Sequence, residues 1–190
     1  MVIPRLHRYT YAQYCGVEQD SPIKHEFLDG EIYAMAGGTE DHSALAANVI
    51  VALGAALGDR PCRVHTSDLR IYVEAAGLAT FPDASVVCGP VQHHPPSPNV
   101  TALNPAVLVE VTSDSSETYD TGTKLEMYRT IPSLREVIIV SHRERRITIH
   151  RRIDDTRWTS TVAITGGRNV VDTLGCTLVV DDVYRGSNVT

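Results

Sequence analysis

Glu110 stands inside the run AVLVEVT, where its neighbours from Ala106 to Val111 are apolar. An ionised carboxylate in such a strand is costly unless it is paired or binds a cation. Asp83 follows Pro82 and immediately precedes a second apolar run, ASVVC. It therefore sits at the start of one core strand, while Glu110 lies near the end of another. If those strands are neighbours, the two carboxylates converge on one hard cation, Mg²⁺ or in its place Mn²⁺, and the backbone carbonyl of Val111 completes the protein's share of the shell. Waters and a substrate phosphate would supply the remainder. The plainer alternative has Glu110 pointing outward at a sheet end or paired with an arginine.

Of the 17 basic residues, only Lys24 and Lys124 are lysines. Lys124 follows Glu110 on a predicted helix, where Asp120, Lys124 and Tyr128 recur at i, i+4 and i+8 and share one face. They form either a surface Asp–Lys pair or, with Glu110, part of a site in which Asp120 and Tyr128 support the lysine. Three further groups stand close enough in the chain to contribute. His42 begins a helix at its inner edge, Glu31 follows a hairpin turn, and Asp68 lies in HTSDLRIYV. His93 and His94 adjoin prolines and read as surface residues. Cys15, Cys62, Cys88 and Cys176 show no CxxC spacing, and are expected to be reduced thiols of a cytoplasmic protein rather than zinc ligands.

These residues need a scaffold of strands and helices. Thr10 reads as the N-cap of a short helix over 10–20, and HEFLDGEIYAM as a hairpin turning through Asp29-Gly30. Thr39 caps the clearest amphipathic helix, with Leu45, Val49, Leu53 and Ala56 at helical spacing and Ala46, Ile50 and Leu57 alongside. Strands are predicted over 69–73, 84–88, 106–112 and 135–141, with one helix over 116–131 weakened by Gly122. The last two strands with that helix form a βαβ unit, so they should be parallel and covered on both faces. GPVQHHPPSPNVTALNP reads as a long surface loop, and the segments after residue 143 as antiparallel strands with one wet face. The expected class is α/β (α+β), a mixed central sheet flanked by helices.

A chain of 190 residues with 43% hydrophobic content can bury a core without disulfides or metal. No apolar stretch is long enough to span a membrane, and the first ten residues lack the apolar segment of an export signal. The net charge of −6 opposes tight binding to nucleic acid. Between His142 and Arg157, however, six arginines face three acids. Arg143, Arg145, Arg146, Arg151 and Arg152 are therefore expected to form a phosphate-tracking face, which a homodimer would extend.

FPDASVV, LVEVTSDSS and YDTGTKLEMYRTIPSLREVIIVS together resemble the Uma-type restriction endonuclease family, a branch of the PD-(D/E)XK nuclease superfamily. HEFLDGEIYAMAGGTEDHS resembles that family's opening segment and LGCTLVVDDVY its closing one, so the likeness runs from about Tyr11 to Tyr184. It implies one restriction-endonuclease-like domain over 1–190, with its core over about 25–165, an N-terminal helix and hairpin, and a C-terminal antiparallel extension over about 143–184. It also implies Mg²⁺-dependent hydrolysis of DNA, with Asp83 and Glu110 as metal ligands and no organic cofactor. The superfamily's usual lysine, two residues after the second acid, is replaced here by Thr112. The Uma-type pattern moves that lysine onto the following helix, where Lys124 stands, to orient water or stabilise the reacting phosphate. Thr112 and the acidic charge also admit a non-catalytic module that binds nucleic acid or a partner protein, and the ligand set admits a hydrolase of smaller phosphate esters.

Overall fold

The computed structural model describes residues 8–95, 97 and 99–190. The export-signal reading of residues 1–7, and Pro96 and Pro98 of the predicted loop, lie outside the described residues. Among those described, no helix is long and apolar enough to cross a membrane.

The N-terminal part runs α1 (Tyr11–Asp20), β1 (His25–Leu28), β2 (Glu31–Ala34), α2 (Glu40–Leu57), β3 (Cys62–Thr66), β4 (Arg70–Val73), β5 (Leu78–Thr80) and β6 (Ala84–Cys88). It continues through β7 (Thr101–Ala102), β8 (Val107–Val111), α3 (Glu117–Thr121), α4 (Thr123–Arg129), β9 (Glu136–Val140), β10 (Arg146–Arg152) and β11 (Trp158–Ile164). The chain closes with β12 (Arg168–Val171), β13 (Cys176–Val179) and α5 (Val180–Val183).

The central sheet has six strands in the order β11-β10-β9-β8-β6-β3. Within this sheet only β8 and β9 are parallel, Val107 opposite Glu136 through Val111 opposite Val140, as the βαβ reading requires. β6 runs antiparallel to β8 with Ala84 opposite Val109. A second sheet, β2-β1-β5-β4-β7, carries the predicted hairpin. The strand predicted over 69–73 belongs to this second sheet rather than the central one. Strands β10 and β11 extend the central sheet, β12 and β13 pair separately, and the last apolar run ends in the short helix α5.

Alternation along β8 decides where each side chain goes. Val107, Val109 and Val111 pack in one buried cluster with Leu45, Val49, Leu53 and Leu57 of α2, while Leu108 packs in another with Leu125 and Tyr128 of α4. Each fully buried Val or Leu is worth about 1.5–3 kcal/mol, so α2 is bound mainly by this stripe. Leu57 completes it, whereas Ala56 is exposed. Thr10 and Thr39 cap their helices as expected, accepting from the Gln13 and His42 amides.

The single helix predicted over 116–131 is two helices. Gly122 sits at the break with φ −115° and ψ −105°, and a Cβ there would stand 2.8 Å from the Thr118 carbonyl oxygen. Any larger residue would force that carbonyl or its own backbone to shift. The cysteine reading also needs correction: Cys62 and Cys88 are directly opposed on β3 and β6 and joined by a disulfide, leaving Cys15 and Cys176 as buried free thiols. Their pairing follows from strand register, which spacing along the chain does not reveal.

Candidate active site

Glu110 shares the parity of Leu108 and so faces α4. Its Oε1 accepts from the Tyr128 hydroxyl at 2.5 Å and lies 2.9 Å from Lys124 Nζ. Lys124 is also 3.3 Å from Asp120 Oδ1, the i,i+4 pair read from the sequence, here with every partner buried. Burial pushes the Glu110 carboxyl up to about 8, against the pull of the Lys124 ammonium. Burial alone would lower the lysine, but Glu110, Asp120 and Glu26 outweigh it and hold Lys124 protonated, above its ordinary range. Tyr128 is raised far above the usual phenol, by burial first and then by Glu110.

Asp83 lies one step beyond the Ala84–Val109 pair, which brings it opposite Glu110. Its Oδ2 accepts from the Val111 amide at 2.7 Å. In an antiparallel pair the amide and carbonyl of one residue leave the strand on the same side, so the Val111 carbonyl also faces the β6 edge. His42, from the first turn of α2, places Nε2 3.4 Å from Asp83 Oδ2. The hydrogen bond to Asp83 raises the His42 pKa, burial works against it, and the Val111 backbone adds to the rise. Gly38 lets this ring come in: a Cβ on Gly38 would stand 2.5 Å from His42 Nδ1.

The site has a further carboxylate, Glu26 of β1. Its Oε2 accepts from Thr80 Oγ1 at 2.7 Å and lies 3.9 Å from Lys124 Nζ, and its Oε1 accepts from the Tyr119 hydroxyl. Sequence reasoning passed over Glu26, although the signal that singled out Glu110, an acid inside a strand, was present in HEFL. Glu31, chosen in its place, is exposed on β2 and bonded to the Tyr33 hydroxyl. Asp68 is exposed too, paired with Lys24 at 2.8 Å. Sheet order explains the exchange: Glu26 and Glu31 share one face of the hairpin, but β1 is paired on both sides while β2 is the edge of its sheet, so Glu26 is covered and Glu31 is left exposed.

Together these groups line a cleft of about 470 Å³ that includes Glu26, His42, Asp83, Glu110, Asp120, Lys124 and the loop Thr112–Ser116. Five of these residues are carboxylates, Asp114 of the loop included, and Lys124 is the one lysine among them. That surplus suits a divalent cation, which takes oxygen ligands. Among the described residues no group of three or more His, Cys, Asp or Glu is arranged as a ready-made metal cage. A cation here would meet two carboxylates, Asp83 and Glu110, with the Val111 carbonyl, and would take the rest of its shell from water and substrate.

The arginines do not form the expected free face. Arg151 binds Glu136 at 2.8 Å and Asp172 at 2.9 Å. Arg152 donates to the carbonyls of Leu134, Arg129 and Ile131, and Arg145 to that of Val189. Arg146 pairs with Glu144, and Arg143 pairs with Asp114 and Glu117 beside the cleft. The segment's basic character serves mainly to hold the C-terminal strands in place. His94 is also no simple surface residue, since its ring meets those of Tyr11 and Tyr72 edge-on.

A family model for Uma2, described as "Putative restriction endonuclease", matches residues 9–180. An uncharacterised protein of Synechocystis sp., slr1290, is 32% identical over 183 residues, covering 96% of this chain and 93% of the relative. A second from the same organism, sll1609, is 29% identical over 158 residues, covering 83% and 89%. Among solved structures, one described as "a putative nuclease belonging to DUF820" from Anabaena variabilis superposes with a TM-score of 0.73 at 16% identity, covering 91% of this chain and 96% of its own. At that identity the likeness shows a shared fold.

Proposed function

The chain belongs to the Uma2 family over residues 9–180, and from that premise we propose that it is a nuclease hydrolysing DNA phosphodiester bonds with a divalent cation, Mg²⁺ or in its place Mn²⁺. The observation that carries this reading is the opposition of Asp83 and Glu110 across β6 and β8, with Lys124 Nζ 2.9 Å from Glu110. The cation supplies Lewis acidity to the scissile phosphate. Asp83, Glu110 and the Val111 carbonyl would hold it. Lys124 donates hydrogen bonds to the attacking water or to the charge developing on the phosphate. Asp120, Glu26 and Tyr128 fix the lysine and Glu110, and His42 orients Asp83.

Incubation of the protein with supercoiled, linear and single-stranded DNA plus Mg²⁺ or Mn²⁺ tests the reading. Wild-type protein should nick or cut, and Glu110→Ala and Lys124→Ala should not. The commitment of the arginines to internal partners favours a second reading, a nuclease-fold module that binds without cutting. Wild-type activity no greater than that of Glu110→Ala would select it. We place the enzyme in the cytoplasm with its DNA. The Cys62–Cys88 bond is the observation against that placement, since reducing compartments rarely keep disulfides.

A further inference from the structure

Thr112 occupies the position where a lysine stands in the superfamily pattern, and it has work of a different kind. Its Oγ1 lies 2.8 Å from His142 Nδ1 and accepts from the His142 amide at 3.1 Å. A carboxylate only accepts, so an Nε2 that faces one carries a ring proton. His142 Nε2 then points to Asp114 Oδ1 at 3.1 Å, and the same oxygen lies 3.1 Å from Arg143 Nη2. One carboxylate oxygen is therefore gripped by an imidazole and a guanidinium. Asp114 and His142 both line the cleft that holds Glu110 and Asp83, beside Ser113, Ser115 and Ser116.

The grip is built at His142 and loosest at Asp114. Thr112 is buried and the His142 side chain is 18% exposed, whereas the Arg143 and Asp114 side chains are 57% and 86% exposed. Arg143 is further braced by Glu117 at 2.6 Å. An exposed ion pair contributes little, so Asp114 can swing into water at small cost while its two donors stay where they are. We propose that His142 and Arg143 form a phosphate-oxygen subsite at the rim of the cleft, filled by Asp114 in the free protein and taken over by a nucleic-acid phosphate next to the scissile one. The assignment to a nucleic-acid strand rests on the nuclease reading above. The donor pair itself does not.

The test is binding in EDTA, so that neither metal nor cleavage enters. Inorganic phosphate is followed through the His142 ring signals by NMR, and a labelled oligodeoxynucleotide by fluorescence anisotropy. Asp114→Asn should tighten both by about threefold to fivefold, the scale of one exposed competing pair. Arg143→Gln should weaken both, and His142→Gln the oligodeoxynucleotide, by about tenfold, as expected for a charge-assisted hydrogen bond. Asp155→Asn and Arg157→Gln make the same charge changes at exposed positions in the β10–β11 turn. If each control matches its counterpart, the subsite is overturned. A gain for inorganic phosphate with none for the oligonucleotide overturns the assignment to a nucleic-acid strand. An inactive protein that still shows the expected shifts removes the catalytic reading and leaves the subsite standing.

Discussion

Lys124 Nζ and Glu110 Oε1 lie 2.9 Å apart with both side chains 5% exposed, joining the first turn of α4 to the end of β8. A buried pair of this kind gives little net stability when intact but is costly to break on one side. Lys124→Met should therefore destabilise the fold by about 3–5 kcal/mol, and adding Glu110→Gln should recover part of that loss. Urea unfolding of the two single variants and the double gives the coupling. Additive effects would show that the pair is not an energetic unit.

Metal binding separates the residues the fold brings together from those it keeps apart. Calorimetric titration with Mn²⁺ should show binding that is lost in Asp83→Ala and in Glu110→Ala. Glu31→Ala and Asp68→Ala, exposed and bonded elsewhere, should bind as wild type does. Equal binding by wild type and Asp83→Ala would remove the proposed ligand.

Glu26 supports Lys124 from β1 through contacts that Glu31 lacks. Groups that brace a metal site commonly cost tenfold to a hundredfold in activity when removed. Glu26→Gln should thus lower the DNA cleavage rate by about tenfold, and Glu31→Gln should leave it unchanged. The reverse order would restore the choice made from sequence.

His65 and His150 are both pulled below the ordinary imidazole range, by burial first and then by Arg63 and Arg129 respectively. The folded protein then holds these protons less tightly than the unfolded chain. The stability they contribute is present above the unfolded value near 6.5 and is lost as pH falls below it. His42, raised by Asp83, acts in the opposite sense: its contribution is present below 6.5 and lost as pH rises through the folded value. Thermal unfolding from pH 8 to pH 5 should show an acid limb that flattens in a His65→Gln, His150→Gln double variant. An unchanged limb would assign the acid sensitivity to other groups.

The Cys62–Cys88 disulfide closes a loop with a sequence separation of 26 residues. Loop-closure entropy for that length corresponds to about 3.5 kcal/mol. Alkylation of the unfolded, unreduced protein should label only Cys15 and Cys176, and reductant should lower the unfolding midpoint in urea. Four labelled cysteines in protein taken from the cytoplasm would show that the bond does not form there.

Several features of this protein were legible from sequence because they depend on local pattern. Apolar runs named the core strands, Thr10 and Thr39 marked helix starts, and a strand, a helix and a strand in succession required the parallel β8–β9 pair. Glu110 stood out as a carboxylate set where burial demands a partner, Asp83 by its place before an apolar run, and Lys124 as one of two lysines, on the helix that follows. The rest depended on distances that chain order does not encode. Sheet order put Glu26 on an inner strand and left Glu31 on the edge, strand pairing set Cys62 against Cys88, and the return of β10 to the central sheet drew Arg145, Arg151 and Arg152 onto internal carbonyls and carboxylates. A one-residue shift in register would reverse which side chains face the cleft. Composition counts charges, but only the packed structure decides which of them remain free to meet a substrate.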